Sequence, residues 1–266
     1  MEREPEGPLF VHESGPRLGP TILFLHGSPL SGRMWQPQLE GLPEFHCLAP
    51  DLPEHGQSAH LAPFSMADTV ARLAALIRRS TAQGRAHLVG LSFGGVVAQA
   101  MMVDAPDVVD HVILSGTATR FGGPLMAALK LQMALSDPLL CLLSPSQLGS
   151  LVAVQFGIPR AYRPAMGEDM KRVPPAAMAR FILATYADIT TPTRARQPVL
   201  VAVGKKNETP VAKWMAKRLR RIIVGARGAM VPGGGHVWNL QHPMLFNDVV
   251  RAWVRDEPLP ARLLPL

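Results

Sequence analysis

The stretch Ala86–Ala100, AHLVGLSFGGVVAQA, decides how the rest of the chain is read. A short apolar run, His87-Leu88-Val89, leads into Gly90-Leu91-Ser92-Phe93-Gly94-Gly95, and an apolar helical run from Val96 to Val103 follows. The order is strand, sharp turn, helix, with Gly-x-Ser-x-Gly at the turn. A serine at such a turn has a strained backbone, and the chain packs closely on both sides of it. A Cβ at position 90 or 94 would clash. The turn lifts the Ser92 hydroxyl at the carboxyl edge of a sheet. It also sets the Phe93 N–H at a helix start, where the peptide dipoles favour a neighbouring oxyanion. A glycine-rich turn with a bystander serine fits these five residues equally well, so the decision passes to the surrounding sequence.

Outward from that turn, strands and helices alternate. Upstream, Gly7–Ser14 suits a short strand. Thr21–Leu25 (TILFL) is a continuous β-prone run of the kind buried on both faces of a parallel sheet. Ser31–Leu39 reads as a helix, Phe45–Ala49 as a strand, and Met66–Arg79 as an amphipathic helix with Val70, Leu73, Leu76 and Ile77 on one side. Downstream, Val108–Leu114 is a strand, Val199–Val203 a strand, Val211–Arg221 a helix, Ala226–Val231 a strand and Pro243–Arg255 the last helix. The tail DEPLPARLLPL reads as a surface extension. Between about Ala118 and Thr190 the alternation stops. That block is rich in Met, Leu, Ala and Pro and predicts several helices without strands, SQLGSLVAVQF among them. The expected fold is therefore α/β, a mostly parallel central sheet with helices on both faces. Residues 1–117 and 191–266 form its core, and 118–190 a helical lid. Ligands of such sheets bind beyond the carboxyl ends of the strands, where Ser28, Ser92, Asn207, Glu208 and His236 should gather.

Composition narrows the function classes. The chain has 266 residues, 47% hydrophobic and 18% charged, enough for one large core with a lid. No apolar run approaches the roughly 20 residues that span a bilayer. The first ten residues, MEREPEGPLF, are acidic and Pro-rich and lack a basic segment followed by an apolar one, so a cytoplasmic location is expected. Cys47 and Cys141 sit in apolar surroundings and read as buried free thiols, which suits a reducing compartment. The net charge of +7 is concentrated in KWMAKRLRR (213–221). Its apolar residues recur at helical spacing, so the charges read as a solvated outer face rather than a nucleic-acid patch. The 26 prolines suit a rigid, heat-tolerant chain. No metal-ligand cluster or dinucleotide fingerprint is evident, and no cofactor is expected. Nothing here sets the oligomeric state.

Four motifs in order carry a family resemblance. They are His26-Gly27 after the first long strand, Asp51-Leu52-Pro53-x-His55-Gly56-x-Ser58, Gly90-x-Ser92-x-Gly94, and Gly235-His236 near the end. With the serine first and the histidine last, the chain resembles the α/β-hydrolase superfamily, in its lidded serine-esterase branch. The resemblance spans nearly the whole chain. It implies Ser92 as nucleophile and His236 as its general base, because a free hydroxyl attacks poorly unassisted. It further implies an oxyanion hole from the backbone N–H groups of Ser28 and Phe93, with the Ser28 hydroxyl able to add a contact. His26 is expected to be structural.

The acid departs from the family pattern. Val203-Gly204-Lys205-Lys206-Asn207-Glu208 puts asparagine where the family carries aspartate, with Glu208 next. Asparagine can orient an imidazole but cannot neutralise the imidazolium that forms during catalysis. Glu208 can, and its longer side chain absorbs a one-residue offset. No carboxylate lies between Leu114 and Pro124 to serve instead. Glu208 is the expected acid, Asn207 the alternative orienter, and Asp188 a more distant third.

Serine at the elbow excludes the branches that use aspartate there and fits acyl transfer to water. The expected activity is carboxylic-ester hydrolysis on a small molecule with an apolar acyl group. Phe121, Met126, Met133, Phe156, Met178 and Phe181 are the candidates for lining the acyl pocket. Lactone or carbon–carbon cleavage on the same machinery, or a weakly active receptor-like protein, are the alternatives. No nucleic-acid or membrane partner is expected.

Overall fold

Thr21–Leu25 forms β2 and is buried along its whole length. Leu23 and Leu25 enter one core and Ile22 and Phe24 another, on the opposite face. That two-sided burial is why the run shows no polar alternation. The computed structural model describes residues 7–120, 123, 143–172, 189–206 and 208–266. Within them the strands are β1 (Val11–Ser14), β2, β3 (His46–Pro50), β4 (Ala86–Leu91), β5 (Val109–Ser115), β6 (Val199–Gly204), β7 (Arg227–Val231) and β8 (Leu264–Pro265). They form one sheet in the order β1-β3-β2-β4-β5-β6-β7-β8. The inner pairings are parallel, and the two edge strands are antiparallel. This is the expected α/β-hydrolase architecture.

The helices are α1 (Gln36–Gly41), α2 (Met66–Ser80), α3 (Phe93–Asp104), α4 (Pro145–Gln155), α5 (Arg163–Lys171), α6 (Pro210–Ile222), α7 (Trp238–Gln241) and α8 (Pro243–Val254). Leu73 and Ile77 of α2, Val97 and Met101 of α3, and Leu219 of α6 cover one face of the sheet. Leu39 of α1, Trp238 and Leu240 of α7, and Phe246 and Val250 of α8 cover the other. On α6 the apolar Met215, Ala216 and Leu219 turn inward, while Lys217, Arg220 and Arg221 are exposed. The chain runs from β2 outward to β3 and returns to β4 on the other side of β2. That reversal opens a crevice at the carboxyl ends of β2 and β4, the usual ligand position in such sheets.

One element differs from the sequence reading. The Ser31–Leu39 helix is split into a 3₁₀ turn, Gly32–Trp35, and α1. Pro37 lies in the first turn of α1 and has no N–H to continue the preceding hydrogen bonds. The tail runs over the surface, as read, and its end pairs there: Leu264 with Met230 and Pro265 with Ala229, covering the edge of β7. α5 turns Met166, Asp169 and Met170, at helical spacing, inward. Of the block read as a lid, α4, α5 and their connection are described, and most of the rest lies outside the described residues. Cys47 is a buried free thiol, pushed up to about 12 by burial, which makes it inert. Cys141 lies outside the described residues. Among the described residues, no helix is long and apolar enough to cross a membrane.

Candidate active site

Ser92 stands between β4 and α3 with φ 55° and ψ −117°, a left-handed conformation that a non-glycine residue rarely adopts. Its neighbours show why the motif needs glycine. A Cβ on Gly94 would lie 2.0 Å from the Leu25 carbonyl oxygen, and one on Gly90 would lie 2.5 Å from the Gly94 carbonyl oxygen. The turn is tied down from below. Ser92 N–H donates to the Ser115 carbonyl at 2.9 Å. The Ser92 carbonyl accepts from Gly95 N–H at 3.0 Å and from the Thr117 hydroxyl at 2.7 Å. Phe93 is the first residue of α3, and N–H groups of a first helical turn point out of the helix.

His236 follows β7 in the Gly233–Gly235 loop. Its Nδ1 lies 3.2 Å from Glu208 Oε2, and the two side chains are 12% and 3% exposed. The Nδ1 proton donates to the carboxylate, so the Nε2 lone pair is free to accept a proton. The other carboxylate oxygen accepts from Thr209 N–H at 3.1 Å. The floor beneath this pair is Gly116, with φ +52°; a Cβ there would sit 3.1 Å from His236 Nδ1 and 3.7 Å from Glu208 Oε2. Gly116 and Thr117 therefore connect both halves of the site, one under the imidazole and the other on the Ser92 carbonyl. Neither residue stood out in the sequence, since neither carries chemistry of its own. A glycine directly after a buried strand was the one available signal.

The Asp51–Ser58 motif is a brace for the loop carrying Ser28. Asp51 accepts from the N–H groups of Gly32 and Gln57, each at 2.7 Å. Burial alone would raise its carboxyl, but the His12 ring 3.6 Å away and these N–H groups outweigh that and hold it below its ordinary value. His55 Nδ1–H donates to the Pro53 carbonyl at 2.9 Å, which leaves Nε2 to accept the Ser28 hydroxyl at 3.0 Å. The Ser28 hydroxyl is thus engaged as a donor by His55 and keeps its acceptor lone pairs. His26 accepts from Leu52 N–H at 2.9 Å through Nε2 and donates to the Gly27 carbonyl at 3.2 Å. Burial pushes His26 down to about 4 and His55 down to about 3, so both rings are neutral at pH 7.

The described part of the 118–190 block meets this same edge. Phe156, at the end of α4, stacks on the His236 ring at 4.8 Å with the planes 27° apart. Gln241 spans the junction. Its Oε1 accepts from Gly235 N–H at 2.7 Å, and its Nε2 donates to the Gly157 carbonyl at 2.9 Å. Asp169 of α5 accepts from the Ser31 hydroxyl at 2.6 Å. Asn207 and Asp188 lie outside the described residues, as do Phe121, Met126, Met133, Met178 and Phe181.

A parallel sheet with a serine elbow at a strand reversal, and a carboxylate-bound histidine after a later strand, defines an α/β hydrolase. The chain belongs to the alpha/beta hydrolase family, whose sequence profile it matches over residues 22–249. An AB hydrolase superfamily protein of Gibberella zeae is 30% identical over 264 residues, covering 91% of this chain and 82% of that one. Several other curated relatives match over less than half of their own length. Among solved structures, a thermophilic esterase from Thermogutta terrifontis superposes with a TM-score of 0.76 at 24% identity, covering 93% of each chain. The enol-lactonase from Burkholderia xenovorans LB400 gives 0.77 at 21%, covering 93% of this chain and 96% of that one. At these identities the structural likeness speaks for the fold.

Proposed function

We propose that the protein is a serine hydrolase that cleaves carboxylic esters of small molecules through an acyl-enzyme. The observation that carries this reading is the Glu208–His236 contact, made over the same Gly116–Thr117 floor that holds the Ser92 elbow. In the reaction Ser92 Oγ attacks the ester carbonyl and His236 Nε2 takes its proton. Glu208 balances the imidazolium. The N–H groups of Ser28 and Phe93 receive the developing oxyanion, each worth roughly 3 kcal/mol in comparable sites. Collapse expels the alcohol, which leaves with the proton from His236. Water then enters by the same route and releases the acid.

We read residues 118–190 as a lid over this edge, supported by Phe156 on His236 and Asp169 on Ser31, with Phe156 one wall of the acyl site. The reading includes no cofactor and places the enzyme in a reducing, cytoplasmic setting that suits the buried Cys47 thiol. The test is a fluorophosphonate probe followed by a panel of p-nitrophenyl esters and lactones. Wild type should label once and hydrolyse short and medium acyl esters. Ser92→Ala should neither label nor turn over while melting within a degree or two of wild type. Folded Ser92→Ala with full activity removes the assignment, and turnover confined to lactones moves the substrate class.

A further inference from the structure

The amino edge of the sheet, away from Ser92, carries a second cluster of ligating side chains. Along β4 and β5, Ala86 pairs with Val109 and Leu88 with Val112, so His87 alone stands opposite both Asp110 and His111. This is a β-bulge. A regular strand sends successive side chains to opposite faces, whereas the extra residue lets Asp110 and His111 approach His87 together. One ligand atom of each of the three lies within 4.8 Å of the others. His111 is gripped at both ring nitrogens. Nδ1 is 3.1 Å from Asp110 Oδ1 and Nε2 is 3.1 Å from Asp256 Oδ1. A neutral imidazole carries one N–H, so one of these two carboxylate contacts needs a cation, either a second ring proton or a metal ion.

Several features suit a metal. Asp256 follows α8 with φ +56°, a left-handed backbone that brings its carboxylate to His111. Metal-bound histidines commonly give their second N–H to such a carboxylate. Trp253 closes one side, edge-on to His111 at 6.3 Å and hydrogen-bonded to the Val112 carbonyl at 3.1 Å. A cavity of about 300 Å³, lined by Arg85, Asp110 and Arg196 among others, adjoins the cluster and leaves room for water. Arg85 and Arg196 are opposing charges at that cavity; the Arg85 guanidinium donates to the Val109 carbonyl at 2.7 Å. Ligands about 2.0–2.1 Å from zinc in a tetrahedron stand roughly 3.4 Å apart. The Asp110–His111 pair already has nearly that spacing, and His87, within 4.8 Å of both, gives up the contact in which its Nδ1 accepts from the His111 backbone N–H at 3.3 Å or ligates through Nε2.

We propose that His87, His111 through Nδ1, and Asp110 form a structural site for a divalent cation of the zinc type, with water completing the shell and Asp256 orienting His111. Two imidazoles and a carboxylate favour such a borderline metal over calcium or magnesium. His87 lies five residues before Ser92, about 16 Å along an extended strand. The cation therefore braces β4, β5 and the end of α8 and takes no part in ester chemistry, and the site stands whether or not the proposed activity does.

The full-length chain, stripped with chelator and titrated with zinc chloride by calorimetry, should take up one equivalent with Kd below about 10 µM and melt at higher temperature once loaded. Asp110→Asn and His87→Gln should each weaken uptake at least tenfold, and Asp256→Asn by about 10- to 100-fold. His60→Gln, at an exposed histidine elsewhere, should change nothing. If His87→Gln does not fold, cobalt in the wild-type chain decides, because four-coordinate cobalt absorbs strongly in the visible and six-coordinate cobalt weakly. No saturable uptake, uptake unchanged by Asp110→Asn and Asp256→Asn, or a weak six-coordinate cobalt spectrum overturns the site.

Discussion

At the scale of single residues, Glu208 decides how this chain departs from its family. The usual aspartate position holds Asn207, yet the carboxylate one residue later reaches His236 at 3.2 Å. The extra methylene of glutamate makes up for the shift along the loop. Glu208→Gln keeps the volume and removes the charge. It also allows the amide to present an N–H to Nδ1, which reverses the imidazole tautomer and takes the lone pair away from Nε2. In a comparable triad that change costs about 10⁴ in kcat. We expect Glu208→Gln to lower kcat on p-nitrophenyl acetate by roughly 10²- to 10⁴-fold with KM little changed. Asn207→Ala should be mild. Steady-state kinetics on the two variants settle the matter. A near-wild-type Glu208→Gln paired with a crippled Asn207→Ala would hand the orienting role to the asparagine, and with it revive the weakly active, receptor-like reading.

Between elements, the site depends on one side chain that touches neither Ser92 nor His236. Gln241, at the end of α7, accepts from Gly235 N–H and donates to the Gly157 carbonyl, so it fastens the histidine loop to the end of α4. Gln241→Leu strands both groups. The expected result is a loss of about 1–2 kcal/mol in stability and a fall in kcat on the order of tenfold as His236 loosens. Gln241→Glu keeps the acceptor and loses the donor, so it should restore the rate but not the stability. Urea unfolding and kinetics on the pair separate the two contacts; equal rates for Leu and Glu would show that Gly235 needs no such anchor. Such links explain where the sequence stopped being legible. The strands and the elbow were readable because local rules produce them: runs buried on two faces, and glycines forced by contacts of 2.0–2.5 Å. Gln241, Thr117 and the bulge at His87 act on partners distant in sequence or in a neighbouring strand, and they leave no periodic trace. The pair Leu264–Pro265 is too short to show alternation and becomes a strand only because β7 offers an open edge.

For the whole molecule, buried histidines set the response to acid, two of them in and beside the loop that carries Ser28. His26 and His55 are fully buried, face each other at 5.1 Å, and each gives a lone pair to a neighbour, Leu52 N–H for one and the Ser28 hydroxyl for the other. Protonation would break both contacts and place two charges side by side, with Asp51 the nearest compensating carboxylate. Folded, His26 titrates at about 4 and His55 at about 3, whereas the unfolded chain takes up these protons near the ordinary 6.5. Below pH 6.5 the unfolded state therefore binds more protons, and stability must fall as pH falls, down to the folded values. Each histidine contributes a slope of roughly 1.4 kcal/mol per pH unit inside that window and nothing above it. Asp169 works the other way. Burial raises its carboxyl, so the folded state gains protons first and recovers some stability as the pH drops through that raised value. The histidines, with half-buried His87 a third that titrates at about 4, outnumber it and begin to act at higher pH. Urea midpoints should thus be flat from pH 8 to 7 and decline steadily from about 6.5 towards 4. His55→Gln, which cannot titrate, should be less stable at pH 7.5 yet lose less over the acid range, with a slope shallower by about one proton. A wild-type profile flat from pH 7 to 5, or an unchanged slope in His55→Gln, would mean that the Asp51–Ser58 brace admits protons without unfolding.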